Sequence, residues 1–185
     1  MDTLTKTETG TYGLDPSHSR VGFVARHAMI TKVRGAFNEL EGSGSFDAED
    51  PTRSNLSVSI QVESVDTRND DRDGHLRSGD FFDAEAYPTI NFTSTAIAPA
   101  GDSVYRVTGD LVIKGVNRPI TFDLEVTGPA IDPWGNTRLG LEGSVEVSRK
   151  EWGLTWNTPL DSGGVLVSDK VTLEFEISAV KADNA

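Results

Sequence analysis

The chain has no cysteine, which removes disulfides, thiol catalysis and thiolate-bound metals from consideration. It has no apolar run of the roughly 18 residues that a spanning helix needs. The opening MDTLTKTETGTYG holds no apolar segment of the kind that marks a secretory signal, so a cytoplasmic location is expected. Positive charge is scarce: 17 Lys and Arg stand against 29 Asp and Glu, a net charge of −12. That balance argues against nucleic acid as a partner, because phosphate binding needs clustered cations. It also argues against electrostatic attraction to anionic lipid and against stable membrane insertion. No H-E-x-x-H, G-x-S-x-G, phosphate-loop or dinucleotide fingerprint occurs. The three histidines are dispersed: His18 and His27 are nine positions apart, on opposite faces of a continuous strand, and His75 lies in a polar stretch. The chain is therefore expected to be no enzyme and to hold no metal or cofactor.

What the chain does have is period-two alternation. Leu56, Val58, Ile60 and Val62 alternate with Ser57, Ser59, Gln61 and Glu63, and Ile120, Phe122, Leu124 and Val126 with Thr121, Asp123, Glu125 and Thr127. Leu139, Leu141, Val145 and Val147 form a third apolar row, and Val171, Leu173, Phe175, Ile177 and Ala179 a fourth. Strands with one dry and one wet face are antiparallel strands covering a core. Weaker rows at Val21-Phe23-Ala25, Ile90-Phe92 and Tyr105-Val107-Leu111-Ile113, with a strand near Phe37 to Phe46, bring the expectation to about eight strands. Turn-rich KGVNRP (Lys114 to Pro119), AGDS (Ala100 to Ser103) and DPWGN (Asp132 to Asn136) separate them. The 185 residues read as one all-β domain over residues 11–180, with flexible tails at 1–10 and 181–185. Gly109 and Gly143 fall in inward rows. They permit bending in a barrel that leaves space for a ligand, or they relieve strand crowding.

One stretch poses a separate question. NDDRDGHLRSGD, Asn69 to Asp80, puts oxygen-bearing side chains at the first, third, fifth and twelfth positions and Gly74 at the sixth, close to a calcium loop. A calcium loop sits between helices, whereas LSVSIQVESVD upstream alternates as a strand. The first position is Asn, the twelfth is Asp rather than Glu, and Arg77 brings positive charge to the ninth. The alternative is a short helix capped by Asp70 and Asp71 and ended by Gly79, forming a flap anchored by Phe81 and Phe82.

Arg149 continues the inward row of Leu139 to Val147 at the strand's end, where a buried guanidinium requires an anionic partner. A carboxylate such as Asp15 or Asp80 would serve, and so would the phosphate or polar head of a ligand. Beyond it, Trp152, Leu154 and Trp156 share one face if RKEWGLTWN runs on as a strand bent at Gly153. Those indoles either line an apolar pocket or fill the core.

These segments together resemble the YceI-like family of lipocalin-like polyisoprenoid-binding proteins, from about Tyr12 to Val180. The resemblance is carried by DPSHSRVGFVARH (Asp15 to His27), VRGAF (Val33 to Phe37) and HLRSGDFFDAEAYPTINF (His75 to Phe92). It continues through GDLVIKGVNRPITF (Gly109 to Phe122), SRKEWGLTWN (Ser148 to Asn157) and the VSDKVTLEFEI strand. It implies an extended eight-stranded antiparallel barrel with a helical insert, a bound isoprenoid-type lipid such as a quinone or a prenyl phosphate, a carrier role, and often a homodimer. Strand parity with the resemblance assigns Phe23, Phe92, Tyr105, Phe122, Trp152 and Trp156 to the lipid tail and His27 and Arg149 to a polar head, with Phe81 and Phe82 as a lid. Two other readings stand beside it: an interaction module whose barrel is filled by its own side chains, and a calcium-binding protein.

Overall fold

The structure is a computed structural model that describes residues 9–161 and 163–182. Its strands are β1 (Gly10–Leu14), β2 (Arg20–His27), β3 (Thr31–Phe37), β4 (Leu40–Phe46), β5 (Asn55–Gln61) and β6 (Val65–Asp66). After the helix α1 (Asp70–Arg77) come β7 (Thr89–Gly101), β8 (Val104–Ile113), β9 (Val116–Ile131), β10 (Thr137–Ser148) and β11 (Lys170–Lys181). All pair antiparallel, and the order β1-β4-β5-β7-β8-β9-β10-β11 returns to β1, which closes a ring of eight. Closure leaves no exposed edge along that ring.

Eleven strands stand among the described residues where the alternation predicts about eight, because the chain breaks at three places. β1 pairs with the end of β11 (Leu14 opposite Ala179), while β2 pairs with its beginning (Glu176 opposite Arg20). A 3-10 turn at Pro16–His18 separates them, with Asp15 as its cap. The strand expected near Phe37 to Phe46 likewise divides into β3 and β4 at Asn38 and Glu39. The third break lies between β5 and β6, at the 3-10 turn Val62–Ser64. Backbone bonds bridge the breaks: Asp15 N–H to the Ser178 carbonyl (2.9 Å), Asn38 N–H to Ser64 (3.1 Å), Gln61 N–H to Glu39 (2.9 Å).

Lys114 and Gly115 form the β8–β9 turn alone, both with positive φ, and Val116 to Pro119 already belong to β9, so the turn is tighter than KGVNRP suggests. Two residues of the expected tails belong to strands: Gly10 pairs with Phe46, and Lys181 with Tyr12. Residues 1–8 and 183–185 lie outside the described residues.

The alternating rows face inward as the sequence predicts, and glycines in them are matched to phenylalanines. A Cβ on Gly35 would strike the ring of Phe23, one on Gly143 would meet Phe175 at 2.6 Å, and one on Gly109 would strike Phe92. Their use is to admit a neighbouring aromatic ring close to the strand backbone.

The Asn69 to Asp80 stretch is a helix with its flanks, and three of the four oxygen-bearing side chains at the calcium-loop positions, those of Asn69, Asp73 and Asp80, already hold hydrogen bonds. Asn69 caps α1 by accepting from the Arg72 N–H (3.0 Å). Buried Asp73 accepts from the Thr67 N–H (2.8 Å) and hydroxyl, and Asp80 is hydrogen-bonded to His75 Nε2 (2.9 Å). The cap is Asn69 rather than Asp70 or Asp71, which stand in the first turn where their charge suits the helix dipole. Ser78, not Gly79, is the C-cap. Among the described residues no three acidic or histidine side chains converge as a cation cage.

Candidate functional site

The closed wall encloses an apolar cavity of about 300 Å³. Its lining comes from the inward rows, so the period-two pattern is itself what makes the interior greasy. Phe92 and Phe122 lie 5.5 Å apart by ring centroid, and Phe122 and Phe175 4.7 Å, the latter edge to face. Phe23, Phe37 and Phe82 continue the aromatic surface at 5.8 Å steps toward α1. Towards the other end Tyr105 meets Phe46 edge-on at 5.9 Å. The cavity thus runs from Tyr12, Phe46 and Tyr105 at one end to Leu76, Phe81, Trp152 and Leu154 at the α1 end.

Arg149 sits at the α1 end, where β10 gives way to a 3-10 turn, Arg149–Trp152, rather than continuing as a strand. Gly153 ends this turn at φ 78°, a left-handed position that suits glycine. The turn swings Trp152 fully into the core, where its indole N–H donates to the Leu111 carbonyl at 2.9 Å. Arg149 is 6% exposed. Its Nε donates to the Ser168 carbonyl (2.9 Å), Nη2 to Val167 (3.3 Å) and Nη1 to Leu154. Its partners are therefore neutral carbonyls and not the carboxylate that the sequence suggests. Asp15 pairs instead with Arg138 (2.8 Å) and Asp80 with His75. Burial pushes the guanidinium below its ordinary value, and the field of Asp169 opposes this in part. Asp169 itself is raised by burial, but the Ser148 hydroxyl and the nearby Lys150 and Lys170 outweigh that and hold it low. A guanidinium has five N–H groups. With one on each nitrogen engaged by a carbonyl, these bonds use three of the five, and the guanidinium carbon lies 5.9 Å from the centre of the Phe81 ring.

Of the residues singled out in the sequence, Phe23, Phe92, Tyr105, Phe122, Arg149 and Trp152 line the cavity, as do Phe81 and Phe82. Two do not. His27 ends β2 in solvent, bridged across to Val167, because its strand has already left the barrel wall. Trp156 packs on the far side of Phe81, 5.5 Å from it and 4.5 Å from the His75 ring. The parity argument for it fails once the strand becomes a turn. Phe81 is buried between His75 and Trp156, so the insert forms a packed end wall. Cavity residues not singled out include Phe37, Phe46, Phe175 and Val167. Phe175 was visible in its alternating row, whereas Val167 reaches the cavity from an irregular segment with no periodic signal. Asn157 holds that segment, donating to the Val167 carbonyl (2.8 Å) and accepting its N–H (3.0 Å).

With this geometry in hand, comparison with known proteins is informative. Residues 12–179 match the YceI-like domain family. A protein of Photorhabdus laumondii is 38% identical over 135 residues, covering 73% of this chain and 70% of its own length. Protein YceI of Escherichia coli is 36% identical over 137 residues, 74% and 71% of the two chains. The crystal structure of Burkholderia cenocepacia BcnA superposes with a TM-score of 0.79 at 27% identity, over 89% of this chain and 98% of that one. A polyisoprenoid-binding domain from Saccharophagus degradans shares the fold at TM-score 0.71 and 19% identity, over 92% and 98% of the chains.

Proposed function

This chain belongs to the YceI-like domain family, and on that premise we propose that its barrel holds a long isoprenoid-type lipid and carries it as a non-enzymatic binding protein. The observation that carries this is the cavity: an aromatic-lined interior within a closed ring of strands, with one buried cation at its α1 end that no carboxylate contacts. An isoprenoid tail removed from water gains about 25 cal/mol per Å² of apolar surface, and nothing along the aromatic wall demands a polar partner in return. The naming of the Saccharophagus domain as polyisoprenoid-binding supports the same ligand class.

The head belongs at Arg149. A quinone carbonyl would accept from the guanidinium N–H groups, but a prenyl phosphate would also bring a negative charge into direct contact, which no carboxylate does, and charge-assisted bonds are about twice as strong as neutral ones. We therefore favour a phosphate head.

The test is gentle purification, organic extraction and mass spectrometry of the bound lipid, for the natural chain and for Ala25→Phe. Ala25 lines the cavity, so a phenyl group there takes up ligand space without burying a charge. A stoichiometric isoprenoid in the natural chain, and its loss from a folded Ala25→Phe variant, is the expected result. An equal lipid content in both would sink the assignment of this cavity.

A further inference from the structure

The β2–β3 hairpin is unlike the rest of this acidic molecule. Between Asp15 and Glu39 the chain carries Arg20, Arg26, Lys32 and Arg34 and no Asp or Glu, within a chain of net charge −12. At the hairpin's tip Met29 is 60% exposed and Ile30 79% exposed. Ala28 and Met29 occupy left-handed backbone positions, φ 51° and 64°, which Asn or Gly would hold at lower cost. A large apolar side chain is thus kept outermost at a position that favours neither its backbone nor its burial.

The tip does not stand alone. Ala28 N–H donates to the Leu166 carbonyl at 2.7 Å, and the Met29 sulfur lies over Gly164. This brings exposed Val165 alongside, so three of the large exposed apolar residues gather in one corner. Basic groups flank them. Arg26 reaches the Ile30 carbonyl (3.2 Å), and Lys32 is exposed on the opposing strand, two residues past the tip. Arg20 and Arg34 lie farther down and share Glu174 at 3.7 Å. The neighbouring loop contributes two acidic residues, Asp161 and Asp169, of which Asp169 accepts from the Ser148 hydroxyl. The corner also adjoins the cavity: Ala25, two residues before His27, and Val167, the bridge partner of His27, both line it, and the Val167 carbonyl accepts from Arg149.

We propose that the β2–β3 hairpin docks on an anionic lipid bilayer, Met29 and Ile30 entering the interface while Arg26 and Lys32 meet lipid phosphates. Apolar contact plus local positive charge is the combination that binds such surfaces, and the overall negative charge keeps the remaining faces away. The docking stands on the hairpin alone; its use, holding the Arg149 end of the cavity against the membrane that donates or receives lipid, rests on the carrier reading. The other exposed apolar tip, Ile131 and Trp134 on the β9–β10 turn, lacks this complement, since its basic neighbour Arg138 is held by Asp15 and Asp132.

The experiment is flotation of the full chain with vesicles of phosphatidylcholine containing phosphatidylglycerol, and of phosphatidylcholine alone, both free of isoprenoid. The natural chain is expected to float with the anionic vesicles and to be released by salt. Met29→Ser with Ile30→Ser should weaken binding about tenfold or more, and Lys32→Glu about fivefold. Trp134→Ser should change nothing. Thermal melting checks that each variant is folded. No flotation of the natural chain, equal flotation on neutral vesicles, or an unaffected double variant would overturn the proposal. Lipid content measured by extraction is read separately: hairpin-dependent flotation of a chain that never retains isoprenoid would sink the carrier reading and leave the docking intact.

Discussion

The ring of Phe23 lies across the α-carbon of Gly35, its partner on the neighbouring strand, and fills the space that a side chain there would need. The three atoms nearest to a Cβ built on Gly35 all belong to that ring. Gly109 differs, because a Cβ there would strike Phe92 and also stand 2.6 Å from the Thr93 carbonyl oxygen, which is backbone. Gly35→Ala and Gly109→Ala should each cost about 1–3 kcal/mol by overpacking. Denaturant titration of double variants should then separate them. Phe23→Leu restores most of the loss at Gly35, while Phe92→Leu restores little at Gly109. Equal rescue at both sites would mean that the strands move apart more readily than the pairing implies.

The second prediction concerns acid. Arg138 reaches Asp15 and Asp132, each at 2.8 Å, and so ties the β1–β2 break to the β9–β10 turn. The Arg138 bond is the main cause that holds both carboxyls low, Asp132 at about 2 and Asp15 lower still, with His18 and Ser17 adding to the second. A carboxyl whose folded value lies below its unfolded one stabilises the fold above the unfolded value and loses that contribution as pH falls through the folded one. With an ordinary value of 3.8, the loss belongs below about pH 4. Arg138→Gln should lower the melting temperature clearly near pH 6, and the gap from the natural chain should close towards pH 2. A gap that persists undiminished at pH 2 would assign the effect of Arg138 to packing.

Calcium offers a third check. The oxygens of Asn69, Asp73 and Asp80 already serve the Arg72 amide, Thr67 and His75, and turning them to a shared cation would undo the cap and the anchor of α1. Titration calorimetry with millimolar calcium should show no saturable heat, and the melting temperature should not rise, whereas a ligand that binds the native state must raise it. Asp73→Asn should cost about 1–3 kcal/mol, since it turns a buried, charged acceptor of two hydrogen bonds into a weaker neutral one. Saturable calcium heat that Asp73→Asn removes would restore the loop reading.

The barrel was legible because each inward row is set by neighbours two residues apart, a local signal that burial on one face enforces. Leu56, Phe122, Leu139 and Leu173 all point where their rows predict. What was not legible depends on groups far apart in sequence. The break of β3 from β4 rests on bonds such as Asn38 to Ser64, and the partners of Arg149 lie up to 19 residues away in an irregular segment. Trp156 was misplaced because one left-handed glycine, Gly153, replaces a strand by a turn and resets every parity after it. His27 keeps the parity of Phe23 and Ala25 but ends its strand in solvent, which a row of alternating residues does not reveal.

Arg149 decides what the cavity selects. Three carbonyls, from Leu154, Val167 and Ser168, hold its guanidinium, so its removal has both a structural and a recognition effect, which must be separated. Stripping a buried charge gains back its desolvation, but the orphaned carbonyls lose their donors. The balance for Arg149→Gln is a loss of about 1–3 kcal/mol, read from denaturant midpoints. Recognition is read as a ratio, on folded protein, between a prenyl phosphate and the neutral prenol of the same chain length. If the phosphate sits at Arg149, Arg149→Gln should reduce the preference for phosphate about tenfold or more while prenol affinity holds, because the aromatic wall is untouched. Arg149→Lys should keep part of the preference, since the charge remains but the planar fork is lost. A Gln variant that still favours the phosphate by the natural ratio would move the head away from the α1 end, and with it the direction in which the lipid lies in the barrel.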